Sequence, residues 1–163
     1  MATKYRSLPY PPVYQKGEDY CWAAALESWL RATTGRKVIE QDDLPNMFRE
    51  YLIKIGSRSI YLNPIYLVNL AKDSDIRMAL AEATDPSVIT SEIFAKFLEK
   101  GHLYLCTFSS TLVGHCYVVY GVGYPDGKTE QISVMDPWIG TYSNIPISEL
   151  KTLSNVRLGW PKP

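Results

Sequence analysis

Charge of one sign is missing from this sequence: 17 Lys and Arg stand against 17 Asp and Glu over 163 residues, a net charge of zero. Without a basic stripe there is no electrostatic footprint for nucleic acid, and without a charge block none for a membrane surface. No apolar run approaches the ~20 residues that span a bilayer. The first residues also lack the charged-then-apolar order of a signal peptide, so the expectation is a protein that stays where it is made or leaves by another route. Cysteine is scarce: there are three, an odd number at irregular spacing, which makes no disulfide framework and reads as free thiols in a reducing compartment. None of them has the two-residue spacing of a zinc knuckle or ribbon, so neither metal nor cofactor is expected. Histidine is scarcer still, with only His102 and His115. Repeats, low-complexity tracts and internal linkers are absent as well.

What is present is an aromatic-rich globular composition, 46% hydrophobic with 12 Tyr and 4 Trp. The length fits one domain, 1–163, burying about 70% of its unfolded surface. Residues 1–20 read as an ordered, loop-like arm. Helical spacing runs from Trp22 through Leu26, Trp29 and Leu30 to a cap near Gly35. A second helix is predicted from Asp42 or Asp43, with Leu44, Met47, Phe48, Tyr51, Leu52 and Ile55 on one face and Gly56 as its end. Asn63-Pro64 starts a third. Residues 74–84 fit helix or strand, with the alanine content favouring helix. Thr90 or Ser91 starts a fourth helix, closed by Gly101. The period then changes to that of strands at 102–108, 114–122 and 130–135, with Asp126-Gly127 as a turn and 156–160 as a short final strand. Helices first and antiparallel strands second make an α+β domain of two segregated halves.

The chemistry gathers around Cys21. A polar loop, Gln15-Lys16-Gly17-Glu18-Asp19-Tyr20, delivers it onto the first turn of an alanine-rich helix, where free amides and the positive dipole end favour a thiolate. A cysteine nucleophile needs a base, and the base needs an orienter. His115 begins the strand Gly-His-Cys-Tyr-Val-Val-Tyr-Gly, and Asp136 ends the next one in Val-Met-Asp-Pro-Trp. Because Asp126-Gly127 reverses the chain between them, the two side chains belong at the same end of neighbouring antiparallel strands. Cys116, directly after His115, points to the opposite face and cannot pair with that ring. Cys106 and Cys116 read as buried small hydrophobes, and His102 as a strand-edge or surface histidine. Taken alone, Asp136 before Pro137 is a plain turn starter, and the two acids beside Cys21 oppose a low thiol pKa unless they point to solvent.

Gln15, five intervening residues, Cys21-Trp22, a distant Gly114-His115 and a later acid resemble the papain-fold cysteine peptidases. The tail from Gly114 to Trp138 is similar to their compact bacterial branches: leader-processing peptidases of peptide exporters, plant-pathogen effector proteases and toxin domains of bacterial competition systems. The resemblance implies a papain-like fold, with the nucleophile on a central helix of the N-terminal half and an antiparallel sheet in the C-terminal half. It implies Cys21 as nucleophile, His115 as base and then acid, and Asp136 as orienter. The Gln15 amide and the Cys21 backbone N–H would form the oxyanion hole, and Trp22, Gly114 and Trp138 would line the substrate cleft. Plant-type papains carry a structural cysteine just before the nucleophile and Asn as third group; Glu18-Asp19-Tyr20 and Asp136 stand there instead. Small size and no recognisable inhibitory pro-segment add the expectation of a toxin or effector protease. It would act on protein in a recipient cell's cytoplasm and be held in check by a cognate immunity protein. Glutamine deamidation by the same residues and a catalytically silent peptide-binding domain are the alternatives.

Overall fold

Ala23, Ala24 and Ala25 give α1 (Cys21–Ala32) strong helix propensity, and every residue from Cys21 to Leu30 is buried. A helix buried on all sides belongs inside a protein. Its C-terminal exit follows at Thr33, and Gly35 takes a left-handed φ of +79°, as the sequence anticipates. The computed structural model describes residues 2–7, 11–55, 59–108, 114–153 and 155–163, with the backbone alone of 54, 55, 59 and 60.

Around α1 the chain builds β1 (Lys4–Tyr5), α2 (Leu44–Met47), the hairpin of β2 (Leu52–Ile55) and β3 (Ser59–Leu62), and α3 (Leu67–Lys72). Beyond these come β4 (Met78–Ala83), α4 (Ser91–Leu98), β5 (Leu103–Phe108), β6 (Gly114–Gly123), β7 (Gln131–Asp136), β8 (Thr141–Pro146), α5 (Ile147–Leu150) and β9 (Asn155–Pro161). One antiparallel sheet runs β4-β9-β5-β6-β7-β8, and β1 pairs with β6 beyond the end of β5. Among the described residues no helix is long and apolar enough to cross a membrane.

The sheet has helices on both faces, so the two halves are not segregated as expected. Tyr104, Cys106, Phe108, Cys116, Val118 and Met135 face α1. Leu103, Leu105, Val119, Ile132 and Val134 face α4 and α5 on the other side. A bulge between Val119 and Gly121 shifts the pairing of β6 with β7. Trp29 Nε1 donates to His102 O at 2.8 Å and Tyr104 Oη to Trp22 O at 2.8 Å, fixing α1 against β5.

Two sequence expectations change here. The second helix stops at Met47; a 3₁₀ turn over Arg49–Tyr51 leads into β2 instead. The apolar spacing of Leu44, Phe48 and Tyr51 is used up in the two short turns, and Ile53 and Ile55 then alternate at strand period. Gly56, its expected end, lies outside the described residues. The second change falls in 74–84, where Met78–Ala83 forms β4 and not a helix. Pairing with β9 overrides alanine's helix propensity. Gly159 makes room there, since a Cβ on it would collide with the Met78 side chain.

Candidate active site

The loop before α1 is held from two sides. Gln15 N donates to Pro137 O at 2.9 Å, tying it to the turn after β7. On the other side Gln41 clamps it: its Nε2 donates to Tyr14 O at 2.8 Å and its Oε1 accepts from Lys16 N at 3.0 Å. Gln41 is itself fixed, because its backbone N–H donates to Glu27 Oε1 at 2.8 Å, and Glu27 pairs with Arg31 one turn on. The Gln15 side chain is buried, with Nε2 donating to Gly17 O at 2.7 Å and making a longer 3.4 Å contact with Glu18 O. Tyr20 N donates to Gly17 O and turns the chain into α1. As the first residue of α1, Cys21 has a backbone N–H with no intrahelical acceptor.

Against that helix start stands the beginning of β6. Cys21 Sγ lies 4.0 Å from Gly114 O. Next to it, His115 Nε2 meets Asp136 Oδ1 at 2.6 Å, with both side chains mostly buried. The pairing of Val118 with Met135 and the turn at Gly127 set this geometry, since they bring the start of β6 beside the end of β7. Asp136 is held as well: its Oδ1 accepts from Trp138 N at 3.0 Å and its backbone O from Gly140 N at 2.9 Å. With Nε2 spent on Asp136, Nδ1 is the ring nitrogen left for Cys21. His115 also packs edge-on against Tyr117, ring centres 4.6 Å apart.

These contacts set the protonation states. The Cys21 thiol is pulled down to about 5, first by a hydrogen bond from Cys116 and next by one from His115, against the opposing effect of burial. Burial disfavours the charged ring of His115, but Asp136 and the Cys21 sulfur outweigh it and raise its pKa to about 9. Both shifts favour the thiolate–imidazolium form of the pair near neutral pH. Glu18 is exposed to solvent, and the influences that set the Cys21 pKa are the Cys116 hydrogen bond, then burial, then His115.

No protein-family model and no curated protein sequence matches this chain. A solved structure does: the Amb a 11 cysteine protease, a major ragweed pollen allergen, in its proform. It matches with a TM-score of 0.52 at 13% identity, covering 93% of this chain and 62% of that one. The fold is papain-like. The chain spans less than two thirds of the protease proform it matches.

Within this papain-like fold the remaining sequence candidates separate. Gly114 lies beside the thiol. Trp22 is almost fully buried, its Nε1 without a partner, and joins Cys21, Tyr61, Leu62, Phe108, Gly114 and Cys116 around a narrow space of about 20 Å³. It is a wall of the core and not an open cleft surface. Trp138, 55% exposed, flanks a wider groove of about 320 Å³ with Tyr14, Gln15, Lys16, Gly17 and Glu18. His102 is not a surface residue: it is buried, with Nε2 against Arg6 O and Ser7 O at 3.1 and 2.9 Å, and it anchors the N-terminal arm. Cys106 and Cys116 are buried as expected, yet Cys116 touches the Cys21 sulfur from the helix-facing side of the sheet. Gln41 and Cys116 are the contributors the sequence did not reveal. Gln41 had no motif around it; the strand alternation placed Cys116 opposite His115 but not against α1.

Proposed function

We propose that this chain is a cysteine protease that cleaves protein or peptide amide bonds. The observation that carries the reading is the placement of Cys21, at the start of α1, against the Gly114-His115 start of β6, with Asp136 holding the far ring nitrogen of His115 at 2.6 Å. In this mechanism Cys21 Sγ attacks the scissile carbonyl, and His115 delivers its proton to the leaving amine. Water then hydrolyses the thioester, with His115 as base. Negative charge on the carbonyl oxygen would meet the free N–H of Cys21 and the second Nε2 hydrogen of Gln15. That hydrogen makes only the 3.4 Å contact with Glu18 O, so turning it to an oxyanion forfeits little. One such donor typically lowers the barrier by roughly 3–4 kcal/mol. The groove at Trp138 is wide enough to receive the leaving-group side of a substrate.

The deciding experiment pairs peptide hydrolysis with iodoacetamide labelling at pH 6. Wild type should hydrolyse a peptide mixture, and Cys21→Ala should not. Cys21 should also label faster than free cysteine by about tenfold, the larger thiolate fraction outweighing its lower intrinsic nucleophilicity. Labelling at the free-cysteine rate would leave a silent binding domain. Ammonia release without chain cleavage would make the protein a deamidase.

The similarity of Gly114–Trp138 to compact bacterial peptidases supports a narrower form of the same proposal. The chain would be a toxin or effector domain that reaches a target cell's cytoplasm and is restrained by a cognate inhibitor. Expression in a bacterial cytoplasm tests this. Growth should stop with wild type and continue with Cys21→Ala; equal growth removes the toxin role.

A further inference from the structure

The proposed hydrolysis uses one thiol, yet three lie in a row. Cys106 on β5 and Cys116 on β6 are register partners, and their sulfurs are 2.9 Å apart, one thiol donating to the other. Cys116 and Cys21 line the same narrow space of about 20 Å³, and the Cys116 thiol acts on the Cys21 sulfur strongly enough to lower its pKa. All three are free and buried. Directly opposed residues on antiparallel strands keep their Cβ atoms about 4.5–5.5 Å apart, so a disulfide between Cys106 and Cys116 asks for only a small approach. Cys116 is thus the middle member, within reach of both the nucleophile and a second, deeper thiol.

We propose that Cys116 and Cys106 form a thiol relay that carries oxidation away from Cys21 and ends in a Cys106–Cys116 disulfide. The relay rests on the reading of Cys21 as a thiolate, and its oxidant is hydrogen peroxide. Cys21 sulfur attacks the peroxide; an S–O bond forms, the O–O bond breaks, and the departing hydroxide takes up a proton to become water. Cys116 sulfur then attacks the Cys21 sulfenic acid. The S–S bond forms as the S–O bond breaks, and the hydroxyl leaves with the Cys116 proton as a second water. Cys106 sulfur next attacks Cys116, releasing its own proton, and the electron pair of the Cys21–Cys116 bond returns to Cys21. Two thiols are oxidised to one disulfide, and one peroxide is reduced to two waters.

The direction of the last step follows from the site. A thiol of lower pKa leaves faster, and Cys21 is the member whose thiolate is stabilised, beside the His115 ring. Cys106 has Cys116 as its register partner, so the attack lands on the middle sulfur. Without the relay, a sulfenic acid on Cys21 has no resolving thiol and passes on to the irreversible sulfinic acid.

Mapping of thiols after peroxide tests the relay without any substrate, so its result stands apart from whether the chain cleaves peptides. The reduced full chain is treated with a small excess of hydrogen peroxide, quenched with iodoacetamide and digested for mass spectrometry. Wild type should show a Cys106–Cys116 disulfide with Cys21 alkylated. Cys106→Ala should stop at a Cys21–Cys116 disulfide, and Cys116→Ala should carry Cys21 to the sulfinic acid. Circular dichroism checks that each variant is folded, and the wild-type map decides if one is not. Sulfinic acid on Cys21 with Cys106 and Cys116 still reduced would overturn the relay. So would a wild-type chain that accumulates the Cys21–Cys116 disulfide.

Discussion

The backbone N–H of Gln15 donates to the carbonyl of Pro137 at 2.9 Å, so the loop leading to Cys21 and the turn following Asp136 are one structural unit. The two ends of the candidate site come from opposite ends of the chain, and this bond fixes the distance between them. Gln41 completes the frame from behind by holding Tyr14 and Lys16.

Replacing Gln41 with Ala removes both clamps and leaves two partly buried backbone groups unpaired, at a cost of about 1–3 kcal/mol. The Gln15 amide then loses its fixed position while Cys21, His115 and Asp136 keep theirs. The expected outcome is a lower melting temperature and a fall in kcat, with the iodoacetamide labelling rate of Cys21 unchanged. Equal losses in labelling and hydrolysis would place the damage in the thiolate pair instead.

The thiolate–imidazolium pair fixes a pH window. Cys21 must have lost its proton, which requires pH above about 5. His115 must keep its proton to deliver it to the leaving amine, which requires pH below about 9. Hydrolysis should therefore rise through about 5, stay level near neutrality and fall through about 9, as a bell in kcat/KM. Alkylation needs only the thiolate, so its rate should rise through the same acid limb and show no fall above pH 9. An alkylation profile that rises only near pH 8.5, the ordinary range for a thiol at about that value, would remove the pair.

Much of this site was legible because its determinants are local. The Asp126-Gly127 turn and strand alternation on either side bring His115 and Asp136 to the same end, and the two meet at 2.6 Å. Three alanines after Cys21 gave the start of α1. What escaped depends on distant partners. Met78–Ala83 becomes a strand because β9 is there to pair with it. Neither β8 nor α5 carried a pattern strong enough to read. The contact of Cys116 with Cys21 depends on which face of the sheet receives α1, and alternation along one strand does not carry that information.

Asp136 acts on His115 by a hydrogen bond to one ring nitrogen. Asp136→Asn keeps an acceptor for the Trp138 N–H but withdraws the charge that helps raise His115 to about 9. The alkaline limb of the pH profile should move down toward the ordinary histidine value of about 6.5. The rate near neutrality should drop by a factor on the order of 100 or more, as when an oriented histidine loses its carboxylate. Thermal stability should change little, because the amide is isosteric with the carboxylate and its oxygen still accepts from the Trp138 N–H. A pH profile that keeps its alkaline limb with unchanged kcat would take Asp136 out of the mechanism.

Gly114 begins β6 opposite Phe108, one residue before His115. A Cβ on Gly114 would run into the Thr107 carbonyl and crowd the Phe108 ring. The backbone carbonyl cannot yield without opening the β5–β6 pairing, in which Thr107 is the partner of His115. Gly114→Ala should therefore displace His115 from both Cys21 and Asp136. The expected result is a melting temperature lowered along with kcat/KM, and Cys21 labelling at pH 6 slowed because the thiolate has lost its cation. Gly159→Ala serves as the control. It introduces a clash with the flexible Met78 side chain, on the far edge of the sheet, so it should lower stability by less while leaving the labelling rate at pH 6 intact. If the two variants slow labelling equally, the glycine before His115 has no special part in placing the ring.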